Sequence, residues 1–249
     1  MKEIMEFHKC MSLVLAVTTT LLFISLQTLS QTGSPAWTAL GPYGGTIGAL
    51  TIDPRNSNTL YAGADGVALF KSTDGGASWR KTGLVSTTNY SKIAINPQNS
   101  RIVYAATAAG FYVSSNRGAT WNATSAGLPN DSTVRALVFD LTNTNIIYAG
   151  TEGSGVYKST DGGLNWQSAN SGLINLKVYS LLIISGAPNT LLAGTGQGVF
   201  KSTDGGNTWT SVNTGLPSDT EVYVLARDAT AGRVYAGGSN GVFGILLEN

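Results

Sequence analysis

Histidine and cysteine are nearly missing from this chain of 249 residues. There is one of each, His8 and Cys10, and both lie within the first ten positions. Charged residues make up only 12% of the chain, the net charge is +1, and no long run carries one sign. Nucleic acid and anionic membranes are held by strong basic fields, so neither is expected as a partner. No segment after residue 30 shows sustained helical periodicity.

The two rare residues sit in what reads as an export signal. Lys2 and Lys9 flank a short polar start, residues 11–26 are apolar, and Thr28-Leu29-Ser30 offers a small-residue cleavage site before Gln31. The apolar stretch is shorter than the roughly 20 residues that a membrane span needs. Glu3 and Glu6 weaken the basic start and leave an uncleaved anchor as the alternative. The expected organisation is a signal over 1–30 and a domain over 31–249. The mature chain is then secreted, periplasmic or extracellular, with no membrane span. Cleavage removes His8 and Cys10, and with them any His general base, Cys nucleophile, Ser-His-Asp triad or His/Cys zinc site. A disulfide is excluded too. No cofactor or metal is expected.

What the chain does have is glycine, 31 residues, and a repeat marked by all five tryptophans. Trp37, Trp79, Trp121, Trp166 and Trp209 are separated by 42, 42, 45 and 43 residues. The last four close one motif, Ser-x-Asp-x-Gly-x-x-Trp. It reads Ser72, Asp74, Gly76 and Trp79, then Ser114, Asn116, Gly118 and Trp121, then Ser159, Asp161, Gly163 and Trp166, then Ser202, Asp204, Gly206 and Trp209. Each unit holds an apolar strand, an Asp/Asn/Pro turn, a second strand such as Leu60-Tyr-Ala-Gly63, a Gly-Val-Phe/Tyr-Lys strand, the boxed turn and a strand opening at the tryptophan. A period of about 40–50 residues with several short strands is the signature of a β-propeller. The last unit stops after three strands, and Trp37-Thr-Ala-Leu40 stands alone ahead of the first. The expected fold is all-β, a five-bladed propeller of four-stranded antiparallel blades closed by the N-terminal strand joining the last blade. An open piece of a longer propeller is the alternative.

The boxed turn explains itself. The Asp or Asn side chain bonds backbone N–H groups of its own turn, the glycines permit positive φ, and the tryptophan packs between sheets. The motif resembles the Asp-box, or BNR repeat, over residues 35–249. That repeat occurs in sialidases, xyloglucan-cleaving glycoside hydrolases, sortilin-type receptors and photosystem II assembly factors. The resemblance implies a box at the blade periphery with a structural role, and it implies no single activity.

Ligands of propellers usually meet the loops between strands two and three and those joining blades. The candidate ligand-binding residues there are Tyr90, Asp131, Arg135, Glu152, Tyr179, Glu221 and Tyr223. A glycoside hydrolase needs two carboxylates across a bond, which Asp131, Glu152 and Glu221 offer. A sialidase would add three arginines, but only Arg135 is well placed; Arg55, Arg101 and Arg233 fall at opposite turns, and the Arg-Ile-Pro motif is absent. Lys71, Lys158 and Lys201 read as a solvated edge. The reading is a non-catalytic, monomeric binding propeller for a protein or glycan, with a glycoside hydrolase of the sialidase or xyloglucanase type as the alternative.

Overall fold

The structure, a computed structural model, describes residues 36–86, 88–129, 133–184, 190–228 and 230–246. The signal expected over 1–30 and the candidate Asp131 therefore lie outside the described residues. The chain divides into residues 1–39 and 40–249, and the second unit holds five antiparallel sheets.

The first sheet is β1 (Ile47–Asp53), β2 (Asn56–Ala64), β3 (Ala68–Ser72) and β4 (Arg80–Lys81). The second is β5 (Tyr90–Ile95), β6 (Val103–Thr107), β7 (Gly110–Ser114) and β8 (Asn122–Ala123). The third is β9 (Val134–Phe139), β10 (Ile147–Thr151), β11 (Gly155–Ser159) and β12 (Gln167–Ser168). The fourth is β13 (Val178–Ile183), β14 (Leu191–Thr195), β15 (Gly198–Ser202) and β16 (Thr210–Ser211). The fifth has three strands, β17 (Val222–Asp228), β18 (Arg233–Gly238) and β19 (Gly241–Leu246). Each sheet is a meander in chain order, and β1, β5, β9, β13 and β17 pack side by side in succession. Residues 36–46 form no strand, so the closure expected from Trp37-Thr-Ala-Leu40 is not seen. Large apolar side chains are exposed at both ends of the row, including Leu50 and Ile52 on β1 and Val242 and Leu246 on β19.

No ladder joins one sheet to the next; single backbone bonds, such as the Trp166 amide to the Ala126 carbonyl at 2.9 Å and the Trp209 amide to the Ser171 carbonyl at 2.8 Å, and crossing side chains do it. Trp166, from the third sheet's box, is buried against Phe111 of the second, with the rings edge to face at 5.2 Å. Trp209 likewise shares a buried cluster with Tyr148 and Val156 of the third sheet and with Leu173 in the loop after it. A tyrosine reaches the other way. Tyr61, Tyr104 and Tyr148 donate their hydroxyls to backbone carbonyls of Arg117, Gly162 and Gly205 in the following box, at 2.8, 3.2 and 3.0 Å. Burial pushes all three hydroxyl pKa values up to about 12. The repeated lysine joins this contact. Lys71 and Lys158 donate to the carbonyls of Arg117 and Gly205 and lie over the Tyr61 and Tyr148 rings, so they are more than a solvated edge. Glycine on the second strand permits the close approach of the next sheet. A Cβ on Gly63 would meet Tyr90 Cβ at 2.5 Å, and one on Gly150 would meet Val178 Cγ1 at 2.7 Å.

Between the fourth and fifth sheets the pattern changes. Leu192 stands where the earlier sheets carry tyrosine, and no box follows. Val199, Leu216, Leu225 and Phe243 surround a cavity of about 570 Å³. They match Val156, Leu173, Leu181 and Phe200, which share a buried cluster with Trp209 one unit earlier. The cavity has the wall of a tryptophan site.

Inside each box, serine is the hub. Ser72, Ser114, Ser159 and Ser202 accept from the amides of Gly76, Gly118, Gly163 and Gly206 at 2.8–2.9 Å. The acid or amide then accepts from the amide ahead of the tryptophan, as in Ser78 to Asp74 at 2.8 Å and Thr120 to Asn116 at 2.8 Å. The residue after the acid has positive φ, glycine in three boxes and Arg117 at φ 60 in the second. A non-glycine residue there costs about 1–2 kcal/mol.

Two outcomes are expected. Trp166→Ala empties a buried site and should cost about 3–5 kcal/mol, read as a fall in thermal or urea midpoint; an unchanged midpoint contradicts the packing role. The second concerns acid. Asp74 and Asp204 are held at about 2, first by the hydroxyls of Ser78 and Thr208 and then by their amides, and Asp161 at about 2 by the Asn165 amide and side chain. Unfolded aspartate titrates near ~3.9. A lowered folded pKa stabilises above the unfolded value, and that stability is lost as pH falls from about 4 through about 2. Asp204→Asn, which copies the second box, should leave the fold intact at neutral pH and flatten this acid slope. A urea-midpoint series against pH checks it; an unaltered slope removes the box from the account.

Candidate binding face

Every inner strand breaks register at the same place. The shifts fall between Ile47 and Ala49, Tyr90 and Lys92, Val134 and Ala136, Val178 and Ser180, and Val222 and Val224. The bulged residues are therefore Gly48, Ser91, Arg135, Tyr179 and Tyr223. A bulge drops one residue from the ladder and re-aims its side chain. Here it lifts four quasi-equivalent side chains at one end of the sheets, Gly48 having none. Only the last three are large.

Neighbouring loops bring charge to the same end. Arg135 donates from Nε to Glu152 Oε2 at 2.7 Å and pairs again through Nη2. Glu152 follows β10 and bridges by backbone to Lys177, just ahead of β13. The amides of Gly153 and Gly155 both donate to the Leu176 carbonyl, at 3.0 and 2.8 Å, which fixes the third sheet's loop to the fourth. Next along, the Tyr179 and Tyr223 rings stand 5.3 Å apart at 60°. Tyr223 is half exposed, and its hydroxyl donates to Glu221 Oε2 at 2.8 Å. That bond to an acceptor carboxylate is the main reason its pKa rises.

Five of the residues expected from sequence thus lie on successive sheets: Arg135 and Glu152, Tyr179, Glu221 and Tyr223. Tyr90 stands apart from them. It occupies the position before the bulge, matching Val134, Val178 and Val222, and is 1% exposed. Its hydroxyl donates to the Leu84 carbonyl at 3.3 Å, and burial pushes its pKa up to about 12. The bulged residue of that sheet is Ser91. Asp131 is outside the described residues. Lys177 belongs to the face and carries no sequence signal beyond its loop. Asp65 fixes the second sheet's approach by accepting from the Tyr90 amide at 2.8 Å. Among the described residues no three His, Cys, Asp or Glu side chains gather to hold a metal.

The face combines an aromatic pair, open to solvent on one side, with a charged pair one sheet away. Exposed aromatic rings of this kind can stack on a flat group, with donors and acceptors beside them.

Residues 67–182 match the model of the Sortilin-Vps10 family, described as sortilin, neurotensin receptor 3. No curated protein matches the sequence. Among solved structures, an ancestral GH74 enzyme aligns with 83% of this chain and 29% of its own, at 23% identity and a TM-score of 0.66. The GH74 xyloglucanase from Xanthomonas campestris aligns with 82% of this chain and 36% of its own, at 16% identity and a TM-score of 0.66. The extracellular domain of a hybrid two-component system from B. thetaiotaomicron aligns with 86% of this chain and 28% of its own, at 16% identity and a TM-score of 0.65. The chain spans roughly a third of the length of each of these relatives. It is a β-propeller, similar in sequence to the Sortilin-Vps10 domain and in fold to GH74 enzymes and this extracellular domain.

Proposed function

We propose that this propeller is an exported, non-catalytic binding protein whose bulge face takes a glycan or a protein. The observation that carries the reading is the row Arg135, Tyr179 and Tyr223, three large side chains raised by one repeated bulge on adjacent sheets. Bulges persist where they aim a side chain. Glu152 and Glu221 are already engaged, by Arg135 and Tyr223, which suits a face built to hold its partners in place. A purified sample on a multivalent glycan array, and as bait for envelope proteins of its host, is expected to retain one ligand class. Tyr179→Ala and Tyr223→Ala should each weaken that binding by roughly tenfold, about 1.4 kcal/mol, with the melting temperature little changed. Binding indifferent to both, or none to either class, sinks the reading.

The GH74 fold match and two carboxylates on one face favour a second reading, a glycoside hydrolase. Release of reducing ends from xyloglucan, abolished by Glu152→Gln or Glu221→Gln, would establish it instead.

The same reading includes ring closure, with Trp37-Thr-Ala-Leu40 as the fourth strand of the fifth blade and the chain acting as a monomer. Two observations support it. Trp79 Nε1 donates to the Leu40 carbonyl at 3.0 Å, as Trp209 Nε1 does to Ala169 at 2.8 Å, and Leu40 and Ala169 each lie three residues after a tryptophan. The cavity beside the fifth sheet supplies the matching wall for an indole. Deleting residues 31–41 should lower the melting temperature and broaden the transition, and Trp37→Ala should cost about 3–5 kcal/mol. Unchanged melts in both variants would leave the ring open.

A further inference from the structure

The second box departs from the repeat at the acid and at the glycine after it; one change removes a negative charge and the other adds a positive one. Asn116 replaces the aspartate, and Arg117 replaces the glycine. Arg117 is the one non-glycine residue with positive φ among the described residues, so a guanidinium is kept where the backbone favours glycine. The change faces a cleft of about 450 Å³ between the first and second sheets. Lys71, Arg80, Lys81 and Arg117 all line it, together with the hydroxyl-bearing Ser78 and Thr82.

The other blades serve as internal controls. The places of Lys71, Arg80, Lys81 and Arg117 hold Val113, Asn122, Ala123 and Gly162 one unit later, and Lys158, Gln167, Ser168 and Gly205 in the next. Those clefts carry no cation and one cation, each beside a box aspartate, Asp161 or Asp204. Here there are four cations. Two acids are near. Asp74 is taken up by the Ser72 and Ser78 hydroxyls and the Ser78 amide, and buried Asp53 acts on Lys71. Lys71 Nζ donates to the Arg117 carbonyl at 3.1 Å. Burial and the neighbouring guanidinium lower its pKa, against the opposing pull of Asp53. Among the described residues the only ion pair is the one between Arg135 and Glu152, so this cluster has no carboxylate partner in salt-bridge contact.

We propose that this cleft binds a tetrahedral oxyanion, a phosphate or sulfate group, through Arg80, Lys81 and Arg117 with Lys71 at its inner wall. Guanidinium forks match such oxygens in pairs, and ammonium groups add point charge. Four cations suit a group with more oxygens than a single carboxylate offers. The volume leaves space for the sugar or other body to which the group is attached.

The repeat also provides benign substitutions for the test. Calorimetry on the full chain at low ionic strength would use inorganic phosphate, inorganic sulfate and glucose 6-sulfate, with sodium chloride as control. Binding of at least one probe with a millimolar or tighter Kd is expected, and it should weaken as salt rises. Arg117→Gly should weaken it by about tenfold or more while holding or raising the melting temperature, because glycine relieves the strained φ. Arg80→Gln with Lys81→Ser, the residues of the third blade, should do the same without touching the box. Tighter binding of the ester than of free sulfate assigns the group to a sugar, and equal binding assigns the free ion; both support the site. No binding above the chloride control, or equal binding by wild type and both variants, overturns it.

Discussion

Sheets that share no hydrogen-bond ladder stand together here because side chains, with a few single backbone bonds, cross from each one to the next. Tryptophan reaches back, with Trp166 on Phe111 and Trp209 on Tyr148. Tyrosine reaches forward, from Tyr61, Tyr104 and Tyr148 to carbonyls of the following box. The box exists to serve both. Its serine hub and positive-φ residue hold the tryptophan at one angle and present a carbonyl to the tyrosine. The second box keeps this geometry with Asn116 and Arg117, so the turn depends on hydrogen-bond acceptors rather than on charge.

Much of this was legible in the sequence, since the box recurs at fixed spacing and each position has one mechanical purpose. The five strand triplets follow from alternation between turn formers and apolar runs. The candidate face was only partly legible. A tyrosine at the start of an inner strand reads the same at Tyr90 and Tyr223, yet one is core and the other is exposed. The difference is a one-residue shift set by the bulge, and bulges arise from strand pairing that the local sequence does not display. Aligning Tyr90 with Val222 instead of Tyr223 would have found it. The basic cleft was missed for another reason. Lys71 lies a full unit away from Arg117, and only sheet-on-sheet packing brings them together.

The two ends of the sheets therefore hold different chemistry on one scaffold. The bulge end of the third to fifth sheets gathers tyrosines and one ion pair. The box periphery of the first and second gathers unpaired positive charge. A rigid repeat permits such specialisation because a change in one unit leaves the framework of the next untouched.

Leu192 shows what the loss of one crossing contact means. It occupies the place of Tyr148 without a hydroxyl, and the fifth sheet has no box carbonyl to receive one. Apolar contact around a cavity, the Tyr179–Tyr223 pair and one bond, from the Leu225 amide to Ser180 Oγ at 3.0 Å, fasten that sheet to the fourth. Such a joint lacks the tyrosine-to-box bond that the three earlier seams share. Under tension applied to the fifth sheet, this seam has one tyrosine-to-box bond fewer to break than each of the three before it.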